Sequence, residues 1–179
     1  MTFSGVTFMV AGSDLLELLD YRCSLPMLDR VVLFQPLELH AELIVDNSRL
    51  HSRPWVPEEL LTQAMCEAAY AHAALVELSP NFLASPRRLD FLVLNMRAVR
   101  FFALARADDA LRVRAFEIIR FGNSLRYHCV IDRPLTRDKH DKPTVIARLY
   151  ELRILFGDRG RLDWRLLQKQ KKIKEGEPE

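Results

Sequence analysis

Two apolar periodicities run along this chain. From Leu37 to Val45, the residues Leu37, Leu39, Ala41, Leu43 and Val45 alternate with Glu38, His40 and Glu42. Period two predicts a strand with one wet face. Arg30–Phe34 predicts a strand just before it, and Pro36 suits the bend or edge between them. From Pro57 to about Leu78 the alternation disappears. Ala64, Ala68, Ala69, Ala71, Ala73 and Ala74 put small side chains on several faces of one helix. A helix that is apolar nearly all round must be buried on most sides. Pro57 fits its first turn, and Glu58 and Glu59 suit the positive end of its dipole.

Further strands are expected at Phe91–Asn95, Arg97–Phe102, Leu111–Phe121, Leu125–Asp132 and Thr144–Phe156. Asp108-Asp109 is a turn signal, and Phe121-Gly122-Asn123-Ser124-Leu125 reads as a hairpin. Ser13 caps an expected short helix that ends near Tyr21. Arg161–Lys174 predicts a terminal helix, followed by a solvated Lys-rich tail. The pattern predicts one domain over residues 1–160, with a helix and charged tail at 161–179. One buried helix followed by antiparallel strands gives an α+β class, the helix wrapped by the sheet.

Composition narrows the possibilities. The 179 residues are 49% apolar, which fits a globular core and argues against disorder. Net charge is only +2, so nothing demands a nucleic-acid partner. The N-terminus lacks a basic segment before its short apolar run, and no stretch is long enough to span a bilayer. The expected location is the cytoplasm. Cys23, Cys66 and Cys129 cannot all pair within one chain and read as reduced thiols, Cys66 being buried in the helix. No Cys/His ligand spacing is present, so no metal and no cofactor are expected.

Several segments resemble β-hydroxyacyl-acyl-carrier-protein dehydratases of the hotdog-fold superfamily. Leu25-Pro-Met-Leu-Asp-Arg-Val31 resembles, in shortened form, their Leu-Pro-His-Arg…Leu-x-Asp-Arg-Val opening. Pro54-Trp-Val-Pro57 followed by Gln63-Ala-Met-Cys-Glu67 is similar to their Pro-x-Met-Pro-Gly and Glu-Ala-x-Ala-Gln segments. Pro54-Trp55-Val56 also resembles the helix opening of dehydratase-like proteins from aryl-polyene gene clusters. Phe101 and Asp109-Ala-Leu111 fall where the family has a strand phenylalanine and a Gly-Asp-x-Leu turn. The resemblance covers roughly residues 13–157 and rests on shared order and spacing. It implies a hotdog fold, a long central helix wrapped by an antiparallel sheet.

The resemblance also implies an acid–base pair: a histidine before the helix and a carboxylate on it, meeting across a dimer interface. In this chain Arg49 falls at the histidine position, Gln63 at the carboxylate position and Glu58 at the glycine after the proline. An amide has no accessible protonation change and arginine stays cationic. His51, two residues beyond Arg49, and Glu67, one helical turn after Gln63 and about 6 Å away, are the candidate substitutes. Against these stand a surface-loop histidine and a carboxylate paired in an interface. Backbone N–H groups at the helix start, near Pro57 and Glu58, could polarise a thioester carbonyl. Arg97 and Arg100, with Arg87 and Arg88, are candidates for holding an acidic carrier or its phosphate.

The leading expectation is a dehydratase-like protein acting on β-hydroxyacyl-acyl-carrier protein, with the His/Glu pair altered. The alternatives are a hotdog acyl-thioesterase and an inactive subunit paired with an active homologue. The expected partners are an acyl-carrier protein or a coenzyme A thioester, within a homodimer or a heterodimer with a homologue. Neither nucleic acid nor a membrane span is expected.

Overall fold

The computed structural model describes residues 10–11, 27–44, 50, 53–78, 89–106, 109–134 and 144–158. The expected helices at 13–21 and 161–174, and the boundary at 160, lie outside the described residues. Strand β1 is the two-residue Val10–Ala11, followed by β2 (Arg30–Gln35) and β3 (Glu38–Ile44). Helix α1 spans Glu58–Leu78. Four longer strands follow, β4 (Leu89–Phe101), β5 (Ala110–Phe121), β6 (Ser124–Arg133) and β7 (Thr144–Asp158). The strands form one sheet in the order β1-β2-β3-β5-β6-β7-β4. Each neighbouring pair is antiparallel. β4 closes one end, so the last strand in sequence, β7, lies between β6 and β4.

Helix α1 lies on one face of this sheet and packs on β3, β4, β5, β6 and β7. Its alanines at 64, 68, 69, 71, 73 and 74 are all fully buried. Small side chains let the helix backbone sit close to the strands, where larger ones would hold them apart. The facing side chains are Leu39, Ala41 and Leu43 of β3, Leu111, Val113 and Ala115 of β5, and Leu125, Cys129 and Ile131 of β6. The alternation in β3 thus puts Glu38, His40 and Glu42 on the face away from the helix. Hairpin β5–β6 turns at Gly122-Asn123, with Gly122 at φ +56 in the left-handed region that glycine adopts without a Cβ clash. Asp109 shapes the β4–β5 turn by accepting from the Arg106 N–H at 2.7 Å.

β4 differs from the expectation of two short strands. It runs unbroken from Leu89 to Phe101. The pattern breaks where the register with β7 shifts between Val93 and Asn95, and Ala98 has φ 54. Such irregularities disturb period two without ending the ladder. The inner face of β4 is also less covered than its neighbours. Phe91, Val93, Val99 and Phe101 are only partly buried, whereas Leu149, Leu152 and Ile154 on β7 are fully buried.

Candidate active-site region

The chain before α1 is stitched to the chain after β4. Val56 donates its N–H to the Ala105 carbonyl at 2.8 Å, and Trp55 bridges to Arg106. The Pro57 carbonyl accepts from the Leu60 and Leu61 N–H groups at 3.1 and 3.3 Å, so helical bonding begins at the proline. Thr62 Oγ1 donates to the Glu58 carbonyl at 2.8 Å. Glu58 and Glu59 are exposed in the first turn.

Glu67 is completely buried. Its Oε2 accepts from the backbone N–H groups of Met27 (2.7 Å) and Leu28 (3.2 Å). Its Oε1 accepts from Gln63 Nε2 at 2.8 Å. Spacing of four residues puts Gln63 and Glu67 on one helix face. The carboxylate therefore binds the Met27–Leu28 segment to the middle of α1, and Gln63 adds a side-chain donor. Charge-assisted bonds to backbone N–H groups are among the stronger ones a protein makes. The arrangement makes Glu67 an anchor for a chain segment 40 residues away.

Gln63 and Glu67 are thus together. Arg49 and His51 lie outside the described residues, as do Arg87 and Arg88. Arg97 and Arg100 sit on exposed β4, in register with Glu151 and Arg148 of β7. Arg100 lies over the Tyr150 ring, and Tyr150 in turn contacts His128. Both belong to the outer face of the sheet, so the structure does not gather Arg100 with Gln63 and Glu67.

A second polar cluster lies in the core. His72 is fully buried. Its Nε2 is 3.1 Å from the Gln35 carbonyl, an acceptor, so Nε2 carries the proton and donates. Nδ1 then accepts from the Tyr127 hydroxyl at 2.9 Å. Glu117 Oε2 lies 3.7 Å from Nδ1. Arg120 pairs with Glu117 at 3.0 and 2.9 Å and also with Glu77. Burial pushes the imidazole below its ordinary value of 6.5, with Glu117 opposing that shift. The neutral ring is the form that satisfies both bonds. The unfolded chain therefore takes up a proton at His72 first as pH falls. Stability should be full above about pH 6.5 and decline below it. Urea melts at pH 7.5 and 5.5 check this: His72→Gln should reduce the difference between the two midpoints. The histidine alone signalled this cluster in the sequence. Its partners come from three separate strands, and Glu77 of α1 joins them through Arg120.

The two cysteines among the described residues, Cys66 and Cys129, are both buried. Burial raises Cys66 to about 12 and Cys129 well above its ordinary range. Cys129 Sγ donates to the Met65 carbonyl at 3.6 Å. Among the described residues no cluster of His, Cys, Asp and Glu could hold a metal ion, and no helix is long and apolar enough to cross a membrane.

The sequence matches no protein-family model and no curated protein. Solved structures do resemble the fold. A chain of the dehydratase heterocomplex ApeI:P from Xenorhabdus doucetiae superposes with a TM-score of 0.60 at 13% identity, covering 87% of this chain and 96% of that one. A mutant hypothetical thioesterase from Streptococcus pneumoniae TIGR4 gives 0.54 at 10% identity, covering 72% and 89%. The smu.793 protein of Streptococcus mutans UA159, bound to acetyl CoA, gives 0.52 at 10% identity, covering 72% and 87%. Identities this low speak for architecture alone, and with the helix-on-sheet topology they make this chain a hotdog-fold protein.

Proposed function

We propose that this protein binds an acyl thioester as one subunit of a hotdog dimer, and that it does not dehydrate the substrate unaided. The observation that carries this reading is the engagement of Glu67. A proton donor must be free to meet the leaving hydroxyl. Glu67 is instead held by Gln63 and by two backbone N–H groups, and Gln63 cannot donate and recover a proton at neutral pH. Using Glu67 with His51 as an acid–base pair would require the carboxylate to leave its donors. The structural neighbours support the substrate class: one is a dehydratase heterocomplex, one a hypothetical thioesterase and one is bound to acetyl CoA.

Two features of β4 support the dimer. Its ladder partner is β7 alone among the described residues, which leaves a 13-residue edge open. Its inner apolar residues are only half covered. An open edge of this length is normally paired or shielded. One structural neighbour is itself part of a heterocomplex, which favours a partner chain at that edge.

The test is to give the purified protein a β-hydroxyacyl carrier-protein thioester and follow enoyl thioester and free acid. Neither product should form, while the thioester binds. Enoyl product from this chain alone rejects the reading. Free acid without enoyl product replaces it with the thioesterase alternative.

A further inference from the structure

The outer face of β6, β7 and β4 carries an unusual arrangement of charge. On adjacent strands Arg148 of β7 stands directly opposite Arg100 of β4, and Arg153 of β7 directly opposite Arg126 of β6. Like charges facing one another across a ladder are destabilising. One such pair could be incidental, but two on one face form a pattern. Glu151 lies 3.6 Å from Arg126 and offsets one of the four guanidinium groups. Nearby Asp132 is already taken by Arg114 at 2.6 Å. Among the described residues, Arg100, Arg148 and Arg153 have no carboxylate partner, and Arg148 Nε is buried without a hydrogen bond. The positive field is felt at His128, whose imidazole is pushed below its ordinary value by burial first and then by Arg148 and Arg114.

The rings on this face narrow what could neutralise it. Arg100 covers Tyr150 at 5.5 Å, Arg148 covers Phe102 at 5.8 Å and Arg114 covers Phe116 at 5.7 Å. A sheet that binds single-stranded nucleic acid offers bare ring faces for bases to stack on. Here guanidinium groups already occupy a face of these rings. Stacking holds each guanidinium flat and leaves its N–H edges for carboxylates. Arg148 and Arg153 are five residues apart on one strand, about 16 Å, which exceeds the reach of a single phosphate. A second copy laid face to face would oppose like charges. The fitting occupant is a protein surface bearing several carboxylates.

We propose that the outer face of β6, β7 and β4, centred on Arg148 and Arg153, is the docking surface for an acidic carrier protein that presents the acyl thioester. Naming the carrier as the partner rests on the acyl-thioester reading above. The geometry of the face independently calls for an acidic protein.

The experiment measures binding of two probes to the full chain: a β-hydroxyacyl acyl-carrier protein and the same acyl group on coenzyme A. Arg148→Glu with Arg153→Glu should weaken carrier binding by about tenfold or more and flatten its salt dependence. Coenzyme A thioester binding should be unchanged. Arg148→Gln with Arg153→Gln keeps comparable bulk and should give a smaller loss; it serves as the readout if the charge-reversed chain does not fold. By NMR, carrier binding should raise the His128 pKa, because incoming carboxylates offset the two arginines. If both double variants bind the carrier as the parent does, the docking surface is wrong. If a 20-nucleotide single strand binds through the same two arginines while the carrier does not, the face serves nucleic acid and the proposal fails. Loss of binding to coenzyme A thioester and carrier alike in the parent protein defeats the acyl-thioester reading itself.

Discussion

Exchanging Gln63 and Glu67, together with Arg49→His, is expected to turn an inert chain into a measurable dehydratase. The gain should be at least about 10²-fold over the parent, the scale on which a positioned acid or base acts. The exchange is designed around the observed bonds. Gln63→Glu alone would set two carboxylates at the 2.8 Å now spanned by an amide and a carboxylate. With Glu67→Gln added, the new amide oxygen can accept from the Met27 and Leu28 N–H groups, and its NH2 can donate to the new carboxylate. All three bonds survive, and the acid, no longer held by the Met27 and Leu28 N–H groups, moves one turn toward the helix start. Enoyl product from the triple variant on a β-hydroxyacyl carrier-protein substrate confirms that the altered positions silence the parent. A folded triple variant that stays inert would show that more than these positions has changed.

Glu67→Ala should cost about 3 kcal/mol of stability. Removing the carboxylate takes the acceptor away from two buried backbone N–H groups and from Gln63, and each stranded donor carries a desolvation penalty of about 1–3 kcal/mol. The truncation also leaves a void beneath the Met27–Leu28 segment, in a helix whose neighbouring positions are fully buried. Glu67→Gln should cost less, because its amide oxygen can still accept. Chemical denaturation of the three proteins gives the order parent, Gln, Ala. If Glu67→Ala unfolds at the parental midpoint, the carboxylate is not an anchor and its candidacy as a reacting group revives.

The long helix, the alternating β3 and the Gly122-Asn123 hairpin were legible in the sequence because each is set by local pattern or by backbone conformation. Gln63 and Glu67 could be paired by spacing for the same reason, since four residues make one turn. Nothing local told that Glu67 ends on Met27 and Leu28, because that contact depends on how the segment before β2 crosses the helix. The partners of His72 were hidden in the same way. So was the arginine face: Arg126, Arg148 and Arg100 each look like ordinary outward residues of separate strands. They become neighbours only because β7 inserts between β6 and β4, an order that does not follow the sequence.

The buried alanines of α1 set where this protein can change. Six fully buried alanines spread over several helix faces leave little room for a longer side chain, so a methylene added there forces neighbouring side chains or backbone to shift. That packing behaves as a sealed gasket. Adjustable volume lies along β4, where Tyr70 stacks on Phe91 at 5.0 Å and both remain partly exposed. Changes in side-chain size are therefore tolerated best at the rim of the molecule, in residues such as Phe91 and Val93, while its centre stays fixed.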